Sequence, residues 1–522
     1  MGAYIIPAFL VAVAGLIPLS LLVAVAWRRV YREDPGNTAR TIAKNSAVPI
    51  AANLLNKLID VGFAAIVLRA LGPEGNGAYA FVALIVGLYF LTISNWGLND
   101  LTVREAAADP QHAPQLFSVA VTVRCLIALA LIPAGALLAG SFTLAGDPLH
   151  PGALIAFALL GLHLFPAAIA AGCSASFQAA QRMEVPALLS VLTAAIRTLI
   201  GVAALTWATD ITSRIAGLAG AALVATSINA GLFLIAQRQL LFRAGWYWDA
   251  SLARWLVRES FPLLLNSLLI AVFFRFDIVI LRAIHGDAAV GLYDAAYKLV
   301  SMTQIIPPYV VAALFPILAR AAIDDPARLV RMVQRAVGAL QLIAWPMAIA
   351  MTLLAPQLIG VLGGTAFVGD ATILLQVAIW YLPLSYLNGV VQYALIAVRQ
   401  QRRITVAFIS GTLVNLGLNL ALIPHYGALA AAAVTIVTEC ALLVPLVLAL
   451  RRAGAAPAFG ALIWRPALAS AAAGLGAWAA MHAIGWPGAG AIAIIYPLVL
   501  WLIGGIGDDE RAFLRRILGR VG

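Results

Sequence analysis

Residues 49–70 read PIAANLLNKLIDVGFAAIVLRA and residues 262–283 read PLLLNSLLIAVFFRFDIVILRA. These two stretches are copies of one another, 213 residues apart and aligned without gaps. Pro49 meets Pro262, Asn53 meets Asn266, Leu55 meets Leu268 and Phe63 meets Phe276. The copies close on Leu68, Arg69 and Ala70 against Leu281, Arg282 and Ala283. After one inserted residue the match resumes with Gly77 and Tyr79 against Gly291 and Tyr293. Apolar residues match by chance in any two membrane helices. A proline, an asparagine, an arginine and a Gly-x-Tyr in one register do not. Internal duplication of this kind is frequent in transporters, whose two halves rock about a site between them.

Outward from the repeat, the chain is membrane-type throughout. Of its 522 residues, 63% are hydrophobic and 11% charged, and mean hydropathy is +0.98, which excludes a soluble globular protein. Apolar runs of the roughly 20 residues that a bilayer requires follow one another from 4–27 to 486–506, about fifteen in all. The net charge of +11 does not call for nucleic acid, because its placement has a topological cause. Every second connection is basic: Arg28, Arg29, Arg32, Arg40 and Lys44, then Arg104, Arg182, and the cluster Arg238, Arg243, Arg254 and Arg258. The series continues through Arg320 to Arg335, Arg399 to Arg403, Arg451 to Arg465, and ends on Arg511, Arg515, Arg516 and Arg520. The intervening connections hold only Arg69, Arg214 and Arg282. By the positive-inside rule the C-terminus is expected in the cytoplasm and, with an odd number of spans, the N-terminus outside. The repeated spans lie six apart, so the copies share one orientation and form parallel repeats.

The expected fold is all-α and polytopic. It comprises an N-terminal span with its basic loop (1–45), a first six-helix bundle (46–236), an amphipathic linker (237–258), a second six-helix bundle (259–450), and two C-terminal spans with a basic tail (451–522). The bundles are expected to enclose a central cavity. The linker interleaves its arginines with Trp246, Tyr247, Trp248 and Trp255, a composition suited to the membrane surface. The N-terminal run lacks the basic residues that precede a signal peptide, so it reads as a span. Cys125, Cys173 and Cys440 lie in separate spans without metal-ligand spacing and read as packing residues.

Charges inside a bilayer cost several kcal/mol, which makes each of them a functional candidate. Asn53, Lys57 and Asp60 are spaced i, i+4, i+7 and form one polar stripe. Asn266 and Asp277 return to one face after about three turns, and because Asn53 and Asn266 are equivalent the two faces are expected to line the same central space. Asp294 and Lys298 form an i, i+4 pair, either a tolerated internal ion pair or a pair with a gating or substrate role in the cavity. Arg197 is about 16 Å from either end of its span, too deep to reach water easily. Arg124 and Glu439 complete the set, Glu439 as a proton-coupling candidate or a protonated packing residue. A cavity with a basic excess suits an anionic headgroup, since Arg and Lys bind phosphate by charge-assisted hydrogen bonds. No Walker A, GxSxG, HExxH or Cys-x-x-Cys pattern occurs, so neither catalysis nor ATP hydrolysis is expected. No cofactor is expected. Energy is expected from an H+ or Na+ gradient, the membrane potential or the substrate gradient.

Residues 69–79 (RALGPEGNGAY) and 95–105 (NWGLNDLTVRE) resemble signatures of the bacterial polysaccharide transport family, the Wzx-like oligosaccharide flippases. Residues 275–277 (RFD), 290–297 (VGLYDAAY) and 314–316 (LFP) resemble the corresponding segment of the second half. That family belongs to the multidrug/oligosaccharidyl-lipid/polysaccharide exporter superfamily. The resemblance implies two six-helix bundles, often with two added helices, and the extra span at 4–27 departs from that pattern. It also implies flipping of a lipid-linked oligosaccharide, commonly on undecaprenyl pyrophosphate, across the bacterial cytoplasmic membrane for surface polysaccharide synthesis, including lipopolysaccharide or exopolysaccharide. The expected partners are membrane lipid, the lipid-linked oligosaccharide, and a polysaccharide polymerase with its chain-length machinery. A cation-coupled drug exporter and a lipid II flippase share the fold. A membrane polymerase or ligase of lipid-linked sugars is the alternative from another class, and usually carries a larger external loop than any here.

Overall fold

The computed structural model describes residues 7, 9–18, 38–243 and 245–505, with backbone alone for 38–44, 46 and 312. The ends of the expected 4–27 span, Arg28 to Arg32 and the basic tail with Asp508 to Glu510 lie outside the described residues. Among the described residues there is no strand, and ten helices are long and apolar enough to cross a membrane. The protein is an all-α, multi-pass membrane protein.

In chain order the helices are α1 (Phe9–Pro18), α2 (Thr38–Leu84), α3 (Leu91–Asn95), α4 (Leu98–Ala108), α5 (Ala113–Leu144) and α6 (Pro151–Ala179). They continue as α7 (Glu184–Trp207), α8 (Ile211–Leu240), α9 (Ala250–Thr303), α10 (Ile306–Asp324), α11 (Pro326–Leu353) and α12 (Ala355–Gly363). The series ends with α13 (Asp370–Ala378), α14 (Leu382–Ala397), α15 (Gln401–Arg452), α16 (Phe459–Ile484) and α17 (Ile492–Leu502). A π-helical turn, Ile85–Phe90, joins α2 to α3.

Three helices are too long for one crossing. The 54 residues of α9 would extend about 80 Å at 1.5 Å per residue, against a hydrocarbon core of about 30 Å. Each of the three contains one glycine in the left-handed region, where the helix stops and a second begins. These are Gly72 (φ 66°) in α2, Gly286 (φ 77°) in α9 and Gly427 (φ 56°) in α15. Gly72 and Gly286 are equivalent in the repeat once its single insertion is counted. The duplication therefore extends to the turn that follows each copy.

Chain contacts divide the protein into two compact units, Met1–Asp294 with Leu362–Ala366, and Ala295–Val361 with Phe367–Gly522. The first unit holds both copies of the repeat. Within it the two Gly-x-Tyr motifs meet each other. A Cβ on Gly77 would overlap the Asp287 carbonyl, and one on Gly291 would overlap the Pro73 carbonyl. Only glycine permits this backbone approach, the device by which membrane helices pack closely. The first unit's apolar core gathers Phe63, Val67, Phe81, Phe157 and Leu218. The described part of the N-terminal helix, α1, packs Phe9 and Val13 against Ile59 of α2 and Val191 of α7.

In the second unit, the span read as continuous over 289–318 breaks after Thr303. Pro307 and Pro308 are the reason: neither has an N–H to donate back to Thr303 or Gln304. The Tyr386 hydroxyl donates to the orphaned Thr303 carbonyl, and Gln304 Nε2 donates to the Tyr381 hydroxyl at 2.5 Å. Between α8 and α9 the irregular segment covers only 241–249 of the stretch read as a linker. Asp249 caps α9 by accepting from the Ser251 backbone at 2.8 Å and the Ser251 hydroxyl at 2.7 Å. These bonds, the hydroxyl's first, hold its carboxyl below the usual carboxylate range.

Candidate functional site

The pair that the sequence separates by 137 residues is joined in space. Asp60 on α2 and Arg197 on α7 form an ion pair, Nη2 to Oδ1, at 2.5 Å. Their side chains retain 45% and 38% of their exposure, so the pair borders open space rather than closing a packed core. Phe63, one turn past Asp60, presents its ring to the guanidinium at 5.8 Å. Asn56 Nδ2 donates to Ser190 Oγ at 2.9 Å and fixes the register of α2 against α7. Asn53 and Lys57 are exposed on α2. The stripe of Asn53, Lys57 and Asp60 is thus among the parts of α2 that packing leaves open, with Leu54 and Leu58 exposed beside it.

The equivalent helix differs. Asn266 is exposed, but Asp277 is buried, accepting from the Tyr293 hydroxyl and from the Ile278 backbone at 2.9 Å. Tyr293 is the tyrosine of the second Gly-x-Tyr, so Asp277 ties the two arms of α9 together. Asp294 accepts from Asn76 Nδ2 at 3.1 Å, and the same amide reaches the Gly291 carbonyl at 3.3 Å. Lys298 is half-buried in the second unit.

Arg124 on α5 is sealed, with none of its surface exposed and, among the described residues, no hydrogen-bond partner for any of its three nitrogens. It packs against Gly172 and stays apart from the Asp60–Arg197 pair as a separate buried charge.

Glu439 on α15 is also buried. Asn388 Nδ2 on α14 donates to its Oε2 at 2.6 Å and to its backbone carbonyl at 3.0 Å. The polar seam continues through Asn415 Nδ2 to Thr438 Oγ1 (3.2 Å) and Asn419 Nδ2 to Asn415 Oδ1 (3.0 Å). Glu439 thus sits beside amides and hydroxyls, and no described residue forms an ion pair with it.

Sequence reasoning passed over three residues that the structure makes prominent. Arg282 stands in the sequence as a repeat match and as one of three basic residues outside the alternation, with no site role expected, yet it is 1% exposed. It pairs with Asp147 and, through Nε at 2.5 Å, with Asp287, under the Phe142 ring at 5.4 Å. Its place in the repeat was the available signal. Asn76 and Asn388 are amides inside apolar spans, and attention to formal charge passed them by.

These features define a class: a multi-pass helical transporter fold built on a duplicated unit, with polar groups buried in its spans. A profile described as "Polysaccharide biosynthesis protein" matches residues 42–322, more than half of the chain, and one described as "MatE" matches 262–421. The chain belongs to the polysaccharide biosynthesis protein family, within the multidrug/oligosaccharidyl-lipid/polysaccharide exporter superfamily. Among solved structures it resembles a lipid II flippase, MurJ, in an inward closed conformation, at 12% identity and a TM-score of 0.72. That match covers 91% of this chain and all of the other. It also resembles an inward-facing multidrug resistance MATE transporter, at 15% identity and a TM-score of 0.63, covering 77% of this chain and 95% of the other. A transporter of the same superfamily from Pyrococcus furiosus aligns at 15% identity and a TM-score of 0.55, covering 81% and 96%. At these identities the likeness establishes the fold. No curated protein sequence matches the chain.

Proposed function

We propose that this protein is a flippase that carries a lipid-linked oligosaccharide, held through a polyprenyl pyrophosphate, across the bacterial cytoplasmic membrane by alternating access. The observation that carries this reading is the half-exposed Asp60–Arg197 pair deep in the spans, with Lys57 exposed one turn away. Lipid does not solvate such groups, so the space they face is polar. Lys57 and Arg197 exceed Asp60 by one positive charge. A pyrophosphate that reaches Arg197 competes with Asp60 for the guanidinium and gains the bidentate geometry that Arg offers to phosphate. The oligosaccharide then occupies the polar space while the polyprenyl tail stays in the bilayer. Asp60 holds Arg197 in place while no substrate is bound and takes it back after release.

Glu439 is the coupling group in this reading. A carboxylate held by Asn388 and Ser385, with no ion-pair partner among the described residues, exchanges a proton or accepts a monovalent cation at low electrostatic cost. The basic connections support a cytoplasmic C-terminus, and in this reading the partners that act on the delivered sugar are a polymerase and its chain-length machinery. Transport, not catalysis, is the activity.

A second reading, a cation-coupled drug exporter, draws on the MatE match to 262–421 and on Glu439. Export of surface polymer separates the two. In a strain lacking this gene, Arg197→Ala and Lys57→Ala are expected to abolish polymer export at normal protein level, with drug susceptibility unchanged. Normal export in both variants removes the basic-site reading. A change confined to drug susceptibility selects the exporter.

A further inference from the structure

A pocket of about 350 Å³ opens where α8 ends, lined by Leu234, Gln237, Arg238, Phe242 and Arg243. It lies outside the transport site, and three observations define what it accepts. The first is charge: Arg238 and Arg243 are both exposed and line the same space. The second is an unanswered amide. Gln237 is 1% exposed, and among the described residues neither its Nε2 nor its Oε1 has a hydrogen-bond partner. Buried amides are ordinarily paired, so an unpaired donor and acceptor on a residue that lines a pocket point to a ligand that supplies both.

The third is position. Leu234 and Ile235 are exposed apolar residues on α8, and the segment after Phe242 exposes Trp246 (84%) and Trp248. Apolar surface therefore gives way to basic and aromatic residues across this pocket, as at the headgroup level of a membrane. The pocket is a built structure. Phe242 packs edge-on to Phe117 with centroids 6.3 Å apart. Ser118 clamps the following segment, donating to the Tyr247 carbonyl at 2.8 Å and accepting from the Tyr247 N–H at 2.7 Å. Two of the C-terminal carbonyls of α8, which would repel an anion, are answered. Leu241 and Phe242 N–H groups donate to the Gln237 carbonyl at 2.9 and 3.1 Å, and Arg182 Nη1 donates to the Leu240 carbonyl at 3.1 Å.

We propose that this pocket binds the phosphodiester headgroup of an anionic membrane lipid from the leaflet on the basic side. Arg238 and Arg243 take the phosphate, Gln237 Nε2 donates to a headgroup oxygen, and Oε1 accepts from a headgroup hydroxyl. Because the site joins the end of α8 to the segment that leads into α9, a bound lipid fixes that connection.

The test uses full-length protein purified with phosphatidylglycerol and read by native mass spectrometry for lipids retained after delipidation. Wild type is expected to keep one tightly held phosphatidylglycerol. R238A/R243A and Gln237→Leu are each expected to retain it at least tenfold less. R402A/R403A, an exposed basic pair elsewhere, is expected to retain it fully. Undiminished retention in R238A/R243A or in Gln237→Leu overturns the proposal, and so does equal loss in R402A/R403A, which reduces the effect to general surface charge. Displacement of the lipid by millimolar glycerol phosphate assigns the pocket to a soluble phosphate and overturns the lipid assignment.

Discussion

Arg197→Ala separates a transport residue from a structural one. Two interactions hold Arg197: the Asp60 pair and the Phe63 ring. With side chains 38% and 45% exposed, the pair falls in the class that contributes about 0.2–1 kcal/mol. The ring adds about 0.5–1 kcal/mol at such exposure. The loss of stability is therefore at most about 2 kcal/mol, a few degrees in melting temperature for a chain of this size. Arg282 is the internal control. It is 1% exposed and pairs with Asp287, itself 12% exposed, so Arg282→Ala strands a buried carboxylate at a cost of about 3–5 kcal/mol. The assay measures both variants twice, by thermal unfolding of detergent-purified protein and by polymer export in cells at matched protein level. Arg197→Ala is expected to melt within a few degrees of wild type and to lose at least tenfold in export. Arg282→Ala is expected to melt much lower. An Arg197→Ala protein that exports normally, or one that unfolds as readily as Arg282→Ala, refutes the reasoning.

Gly291→Val drives a side chain into the Pro73 carbonyl and, as overpacking, is expected to cost about 1–3 kcal/mol; Gly231→Ala, which meets open space, should leave the melting temperature unchanged. Tyr386→Phe leaves the Thr303 carbonyl without a donor and is expected to lower stability by about 1–3 kcal/mol, read from the unfolding midpoint. Glu439→Gln keeps the Asn388 contact within reach but removes the ionisable group, and is expected to abolish the dependence of transport on an imposed ion or pH gradient while protein level holds. Gradient dependence that survives in Glu439→Gln removes this residue from coupling.

The features legible in the sequence were those written as local pattern. The repeat was one, and the structure extends it: Gly72 and Gly286 turn the chain after each copy, and Gly77 and Gly291 are glycines because the copies touch there. The break at Thr303 was equally local, since Pro307-Pro308 removes two helical donors, but hydropathy alone runs straight through it. Pairings across the fold were not legible. Nothing near Asp60 announces that its partner is Arg197, and nothing near Arg282 announces Asp147, because long-range partners are set by how helices pack. The repeat also predicted more symmetry than the side chains keep. Asp60 borders open space, whereas Asp277, placed on the matching face by its spacing from Asn266, is buried against Tyr293. Equivalent backbone positions carry different chemistry once one copy has Lys57 and the other Ile270.

Reconstitution tests the central claim most directly. Purified protein in liposomes is given a fluorescent polyprenyl-pyrophosphate oligosaccharide, and the fraction reached by a membrane-impermeant quencher is followed with time. The account predicts movement between leaflets well above protein-free liposomes, reduced at least tenfold by Arg197→Ala and unaffected by R238A/R243A within the error of the rate. A rate equal to that of protein-free liposomes, or one that Arg197→Ala leaves intact, contradicts it.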